Sequence, residues 1–248
     1  MTNKGELSFG DRRKGITNHE PEQVMDPDVA HELAMMKIVE PDELIGKLER
    51  EAQERADENS EFVAPMIHLM KLFYGNKPRK LSETLSILHP LRIAQASPSE
   101  GELSSTEVLI RLGHDLVEVH NLPASVLSIY GGKDVVTGVT ALTHAEGVTY
   151  AEYLSKIKIF DQLYPKLGLK RSKARDIMNN SCDPIGLPAS FVRHENTVKK
   201  MTPMLDKYET NLKYLFDPGD ALTPKITTMI SLGRKGVAHP QLLIPQAA

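Results

Sequence analysis

The sequence predicts an all-α protein, a helical bundle with an N-terminal extension and further helices toward its C-terminus. Three observations predict it. Apolar residues recur at helical spacing through most of the chain, and cap residues together with Pro and Gly breakers punctuate them at helix-length intervals. The one β-branched run, VVTGVTAL, has no partner strand in view and reads as a buried helix.

Residues 1–30 are polar, contain Gly and Pro, and lack periodicity, so they read as a mobile arm. From Pro41, PDELIGKLEREAQERADEN reads as an amphipathic helix with acidic residues in its first turn, where they complement the helix dipole. EFVAPMIHLMKLF forms the next, ended by Gly75, Asn76 and Pro78, with His68 taken as a packed core histidine. Ser104 followed three residues later by Glu107 makes a capping-box pattern for STEVLIRLGHDLVEVH, which stops near Asn121 and Pro123. PASVLSIY, KDVVTGVTALT and TYAEYLSKIKIFDQLY follow, the last with Thr149 as its cap. Beyond Pro165 and Gly168 come KRSKARDIMNNS, the loop CDPIGLP, a long helix from about Ala189 to Tyr214, and ALTPKITTMISLG before an apolar tail. These elements divide into an arm and helix over residues 1–60, a central domain over 61–200, and C-terminal helices and tail over 201–248.

Charge and composition exclude several classes. Thirty basic residues against 33 acidic ones give a net charge of −3, which does not suit a protein that coats a polyanion, and aromatic stacking platforms are scarce because Trp is absent. No nucleic-acid partner is expected. The N-terminus lacks the apolar core of a signal peptide and no apolar run is long enough for a membrane span, so a cytoplasmic protein with no membrane partner is expected. The single cysteine, Cys182, allows no internal disulfide and, beside Asp183, reads as structural. Homo-oligomerisation is compatible with everything in the sequence.

Residue types suited to metal chemistry occur at His89-Pro90, at the adjacent pair His114-Asp115, and at Asp176. Mixed imidazole and carboxylate donors suit manganese, iron or zinc, whereas carboxylate alone suits magnesium or calcium. Neighbours on a helix point about 100° apart, so His114 and Asp115 can both reach one ion lying against that face. Glu118, one turn on, shares the face. The pair interrupts the apolar stripe LIRLGHDLVE, where Gly113 removes bulk beside the histidine. A buried charged pair there costs several kcal/mol unless coordinated or paired.

HPLRIA, GHDLVE, a helix ending TALT, and RDIMNN, in that order, resemble the HD superfamily. Within it the chain is most similar to the alarmone hydrolase domain of RelA/SpoT-type proteins and their small stand-alone relatives, over roughly residues 60–200. The resemblance implies an HD-domain helical fold and a metal-dependent phosphohydrolase. His89, His114, Asp115 and Asp176 would hold a divalent ion, most simply manganese. Glu118, with Asp115, would act on the attacking water, the alternative for Glu118 being a surface carboxylate. The resemblance further implies that Asn180, or Asn179 in the adjacent register, contacts the nucleotide sugar, and that Arg79 and Lys80 meet the charged substrate. Arg92 is either a further cation or a surface arginine. Val119 stands where the family carries a second acid, and Arg175 where it carries a small apolar residue.

The implied reaction is hydrolysis of a phosphate ester or pyrophosphate on a small nucleotide, led by removal of the 3′-pyrophosphate of guanosine tetra- or pentaphosphate. An HD nucleotidase or deoxynucleoside triphosphate hydrolase, and a non-catalytic nucleotide- or protein-binding module, are the alternatives. The 68 residues after Asn180 are fewer than an alarmone synthetase domain needs, so hydrolysis alone is expected. His144 and Glu146 are read as a solvated loop, His194 as a surface residue, and His239-Pro240 as a chance repeat of the dipeptide.

Overall fold

The computed structural model describes residues 25–79, 82, 84–183, 185 and 194–238, with the side chains of 194–198 and 238 outside that description. Among the described residues the fold is all-α. Its helices are α1 (Pro27–Lys37), α2 (Pro41–Arg55), α3 (Val63–Tyr74), α4 (Leu88–Ile93), α5 (Ser105–His120), α6 (Gly132–Leu142), α7 (Tyr150–Leu163), α8 (Leu169–Cys182), α9 (His194–Leu215) and α10 (Leu222–Ala238). Short 3-10 turns lie over Ser60–Phe62, Ala124–Tyr130 and Pro165–Leu167. An isolated antiparallel bridge joins Pro78 and Leu85. No helix of the described residues is long and apolar enough to cross a membrane.

The caps expected at Ser104 and Thr149 are present. Ser104 accepts from the Glu107 N–H, and Thr149 with Glu152 makes a complete capping box. At Ser104 the reciprocal bond is missing, because the Glu107 carboxylate turns inward to Arg111 and Arg171. VVTGVTAL is helical within α6, as its surroundings demanded. The PASVLSIY segment winds as a 3-10 turn rather than an α-helix.

Two expectations are corrected. The proposed arm ends earlier than residue 30, because Asp26 caps α1 through the N–H groups of Asp28 and Val29, and Pro27 suits the first helical position. His68 is exposed: α3 buries Val63, Met66, Ile67, Met70 and Tyr74, and His68 lies off that stripe.

The core forms two apolar clusters. One joins α2 through α6 around Leu48, Met66, Met70, Leu91, Leu109, Leu112 and Val139. The other joins α1 to the later helices around Met36, Leu154, Ile157, Ile177, Leu205 and Met229. Helices α5 and α6 serve both, and they approach closely because Gly138 faces Ile110 and Gly113 faces Val139. Gly113 thus makes room for α6 rather than for the histidine beside it. α1 packs on α8 and α10, and α9 on α7 and α10, so both ends of the described chain close over the centre.

One titration is built into this packing. His31 on α1 is partly buried, and burial, reinforced by the charges of Arg175 and Lys47, lowers its pKa from 6.5 to about 4 against the opposing pull of Glu100 and Asp28. The unfolded chain therefore binds this proton first. The stability held by neutral His31 is complete above about pH 6.5 and is lost as pH falls toward 4. Thermal melts across that window should show a falling Tm, with a shallower fall in His31→Gln.

Candidate metal centre

Three helices deliver the site. α4 is a short helix whose six residues are all buried, and Pro90 sits in its first turn, where a missing N–H leaves no carbonyl unpaired. That burial turns His89 inward. α5 presents His114 on its buried side and Asp115 at the edge of solvent. α8 starts at Gly168, whose φ of +58° and contact with Glu107 leave no room for a side chain, and carries Asp176 two turns in.

The donor atoms of His89, His114 and Asp176 lie within 4.8 Å of one another. His89 Nε2 is 3.2 Å from Asp176 Oδ1 and 3.6 Å from Asp115 Oδ2. His114 Nε2 is 3.3 Å from Asp115 Oδ1 and 3.9 Å from Asp176 Oδ1. All four sequence-derived candidates therefore converge, with Asp115 at the rim and the other three beneath it.

The hydrogen bonds decide which nitrogen of each ring faces the centre. His114 Nδ1 lies 2.7 Å from the Arg111 carbonyl, which only accepts, so Nδ1 carries the proton and Nε2 keeps its lone pair. His89 Nδ1 meets Asn179 Oδ1 at 2.8 Å, and the Asn179 amide nitrogen turns toward Glu32, which assigns the same tautomer. Metal-binding histidines are held in this way by an acceptor on the far nitrogen. His114 Nε2 is moreover buried with no hydrogen-bond partner among the described residues.

Protonation states also suit ligation, which needs neutral imidazole and ionised carboxylate. Burial lowers the His89 pKa, helped by the charge of Arg79, against the pull of Asp176 and Asp115. Burial alone would raise that of Asp176, but the Lys173 ammonium outweighs it and holds the carboxyl well below its usual range. Lys173 Nζ is 2.5 Å from Asp176 Oδ2, one turn earlier on α8, and its own pKa is driven upward by that carboxylate despite burial. The residues fit a divalent cation.

The implied substrate contacts are engaged differently. Asn180 donates to Asp176 Oδ1 at 2.6 Å and accepts from Arg79 at 3.0 Å, while Arg79 pairs with Asp183 at 2.7 Å. These side chains brace the Asp176 carboxylate. Lys80, His239 and the side chain of His194 lie outside the described residues. Glu118 is exposed, and its Oε2 accepts from the His144 N–H at 2.9 Å, tying α5 to the loop before α7. His144 is partly buried rather than solvated, its ring 4.8 Å from that of Tyr153.

Two arginines are buried where the sequence suggested a surface or an anomaly. Arg92 is fully buried and donates to the Met36 and Ile38 carbonyls, so it closes the C-terminus of α1 instead of facing substrate. Arg175 pairs with Glu32 and reaches the Gln95 carbonyl, which is why a charge stands where a small residue was expected. Cys182 is buried, donates to the Met178 carbonyl, and has its pKa pushed up by burial, as befits a structural thiol.

Comparison of the chain with family models, with curated proteins and with solved structures finds no match in any of the three. The assignment of this centre therefore rests on its own residues. Sequence reasoning missed Lys173, which its spacing of three from Asp176 could have disclosed. It had no means to find Glu32, 147 positions from the Asn179 that it meets.

Proposed function

We propose that the protein is a metal-dependent phosphohydrolase of the HD type, acting on a phosphate ester or pyrophosphate of a nucleotide. The observation that carries this reading is the convergence of two imidazole Nε2 atoms and the ionised Asp176, with His114 Nε2 left buried and unpartnered. A buried polar atom without a partner costs about 1–3 kcal/mol, and a cation at this point would take up its lone pair. A divalent ion of the manganese, iron or zinc class, when bound, supplies Lewis-acid polarisation of a phosphoryl oxygen and makes water more acidic.

The chain's own residues do the rest. Asn179 and the Arg111 carbonyl hold the imidazoles in the ligating tautomer, and Lys173 with Asn180 keeps Asp176 ionised and fixed. Asp115 at the rim accepts a hydrogen bond from the attacking water. Glu118, with one oxygen on His144, has the other available to take the water's proton.

Guanosine tetra- and pentaphosphate remain the leading specific substrates by resemblance, but Arg79 and Asn180 already bond to Asp183 and Asp176, which favours the broader nucleotide reading. A screen of nucleotides with manganese, with products separated by chromatography, tests it. Guanosine tetraphosphate should give GDP and pyrophosphate, a 5′-monophosphate should give orthophosphate, and a deoxynucleoside triphosphate should give tripolyphosphate. A metal-loaded protein that cleaves none of them is a binding module instead.

Glu118→Gln should keep the metal and lose about 10²–10⁴-fold in turnover, the usual contribution of a general base. A change below about threefold would return Glu118 to a surface carboxylate that holds the loop.

A further inference from the structure

A second feature adjoins the centre on the side of α7 and α9. Lys207 of α9 is exposed, and no carboxylate of the described residues lies within 4.0 Å of it. Its ammonium stands 4.4 Å from the centre of the Tyr150 ring and 5.5 Å from that of Tyr208. Lys173 approaches the same Tyr150 ring at 5.9 Å and the Tyr153 ring at 5.1 Å. The two lysines thus share one tyrosine, but Lys173 is bound to Asp176 and Lys207 is not.

Tyr150 adds a second donor. Its hydroxyl is buried and has no hydrogen-bond partner among the described residues, whereas the neighbouring Tyr153 hydroxyl donates to the Leu142 carbonyl. A buried hydroxyl left unpaired costs about 1–3 kcal/mol, so a structural role alone does not account for it. The aromatic wall also lowers the local dielectric. Partial desolvation against the rings and the charge of Lys173 depress the Lys207 pKa, while Asp176 and Glu118 pull it upward.

We propose that Lys207 and Tyr150 form an anion subsite for a second phosphate of the substrate, beside the phosphate that reacts at the metal centre. An ammonium and a phenol hydroxyl can both donate, and a phosphate accepts from both through unprotonated oxygens. Lys173, the cation paired with Asp176, is committed to that carboxylate, which leaves Lys207 as the cation a second phosphate can use. The substrate class is therefore a nucleotide bearing two phosphoryl groups or more, with Lys207 setting the preference over monophosphates. This specificity rests on the phosphohydrolase reading; the anion site itself does not.

The test uses the full chain and inorganic pyrophosphate. With no Trp and seven Tyr, intrinsic fluorescence reports on tyrosines such as Tyr150 and Tyr208. Pyrophosphate titrated into protein freed of metal by chelation should change that emission saturably. Lys207→Met, which keeps the aliphatic packing, should weaken binding at least about tenfold, and Lys207→Arg should restore it to within about threefold. Tyr150→Phe should weaken it less. Melting curves of the three variants should match wild type, since Lys207 is exposed and the phenylalanine ring keeps its packing.

In turnover, Lys207→Met should raise KM for substrates with two or more phosphates at unchanged kcat, and leave monophosphates unaffected. Wild-type pyrophosphate affinity in Lys207→Met would overturn the subsite, whatever the enzyme proves to cleave. Lys207-dependent pyrophosphate binding by a chain that hydrolyses nothing would keep the subsite and remove the phosphohydrolase reading.

Discussion

Asp176→Ala is expected to empty the metal centre and to destabilise the fold at once. Elemental analysis of wild type should find one transition-metal ion per chain, and the variant should lose affinity by more than the roughly 10–100-fold that removing an outer partner of a ligand typically costs. Turnover of any nucleotide should fall with it. The stability loss has a separate cause. Without Asp176, the largely buried Lys173 and the Asn180 amide lose their acceptor, and breaking a buried pair from one side costs about 3–5 kcal/mol.

The two effects can be separated. Asp176→Ala with Lys173→Met removes the orphaned charge, so the melting temperature should recover while metal and activity stay lost. Equal metal content in wild type and both variants would remove Asp176 from the ligand set.

Arg111→Met should be the most destabilising change away from the centre. Arg111 is fully buried and bonds Glu100 at 2.5 Å, Glu107 at 2.7 Å, the Ile93 carbonyl at 3.0 Å and Ser172 at 3.2 Å. Glu107 also receives Arg171 from α8, and Glu100 lies 3.8 Å from Arg175. Removing the arginine leaves two buried carboxylates short of their counter-charge. The expected cost is about 3–5 kcal/mol, a fall of about 10 °C in Tm for a chain of this length.

Adding Glu107→Leu to Arg111→Met should recover part of that loss, because an apolar replacement of a buried pair is often nearly neutral. Thermal and denaturant melts of the single and double variants measure the coupling. Because the Arg111 backbone carbonyl fixes the His114 ring, metal content should survive the side-chain change. Its loss in a folded Arg111→Met would show that the ionic layer, and not only the backbone, aligns α5 with α4 and α8.

Much of this protein was determined by local sequence. Ser104, Thr149 and Pro41 mark helix starts because cap and first-turn chemistry depends on residues within one turn, and these starts appear where they were expected. His114 and Asp115 were legible as a pair for the same reason, since helical geometry alone puts both near one point. The four candidate ligands are brought together as their residue types suggested. Local patterning also misled. His68 sits among apolar neighbours, yet only the packing of α3 on α2 and α5 determines which face turns inward.

Only the tertiary structure decided which polar groups are committed and which are free. Arg92 could be read from sequence as a further cation or a surface arginine, yet it, Arg111 and Arg175 meet carbonyls and carboxylates 4 to 143 positions away in a layer where α1, α4, α5 and α8 join. Arg79 and Asn180 are bound to Asp183 and Asp176, while Lys207 and the Tyr150 hydroxyl have no such partners among the described residues. The physical reason is desolvation. A charge or donor gains a long-range partner only when folding removes its water, and one-dimensional spacing carries no record of which side chains will meet in that dry layer.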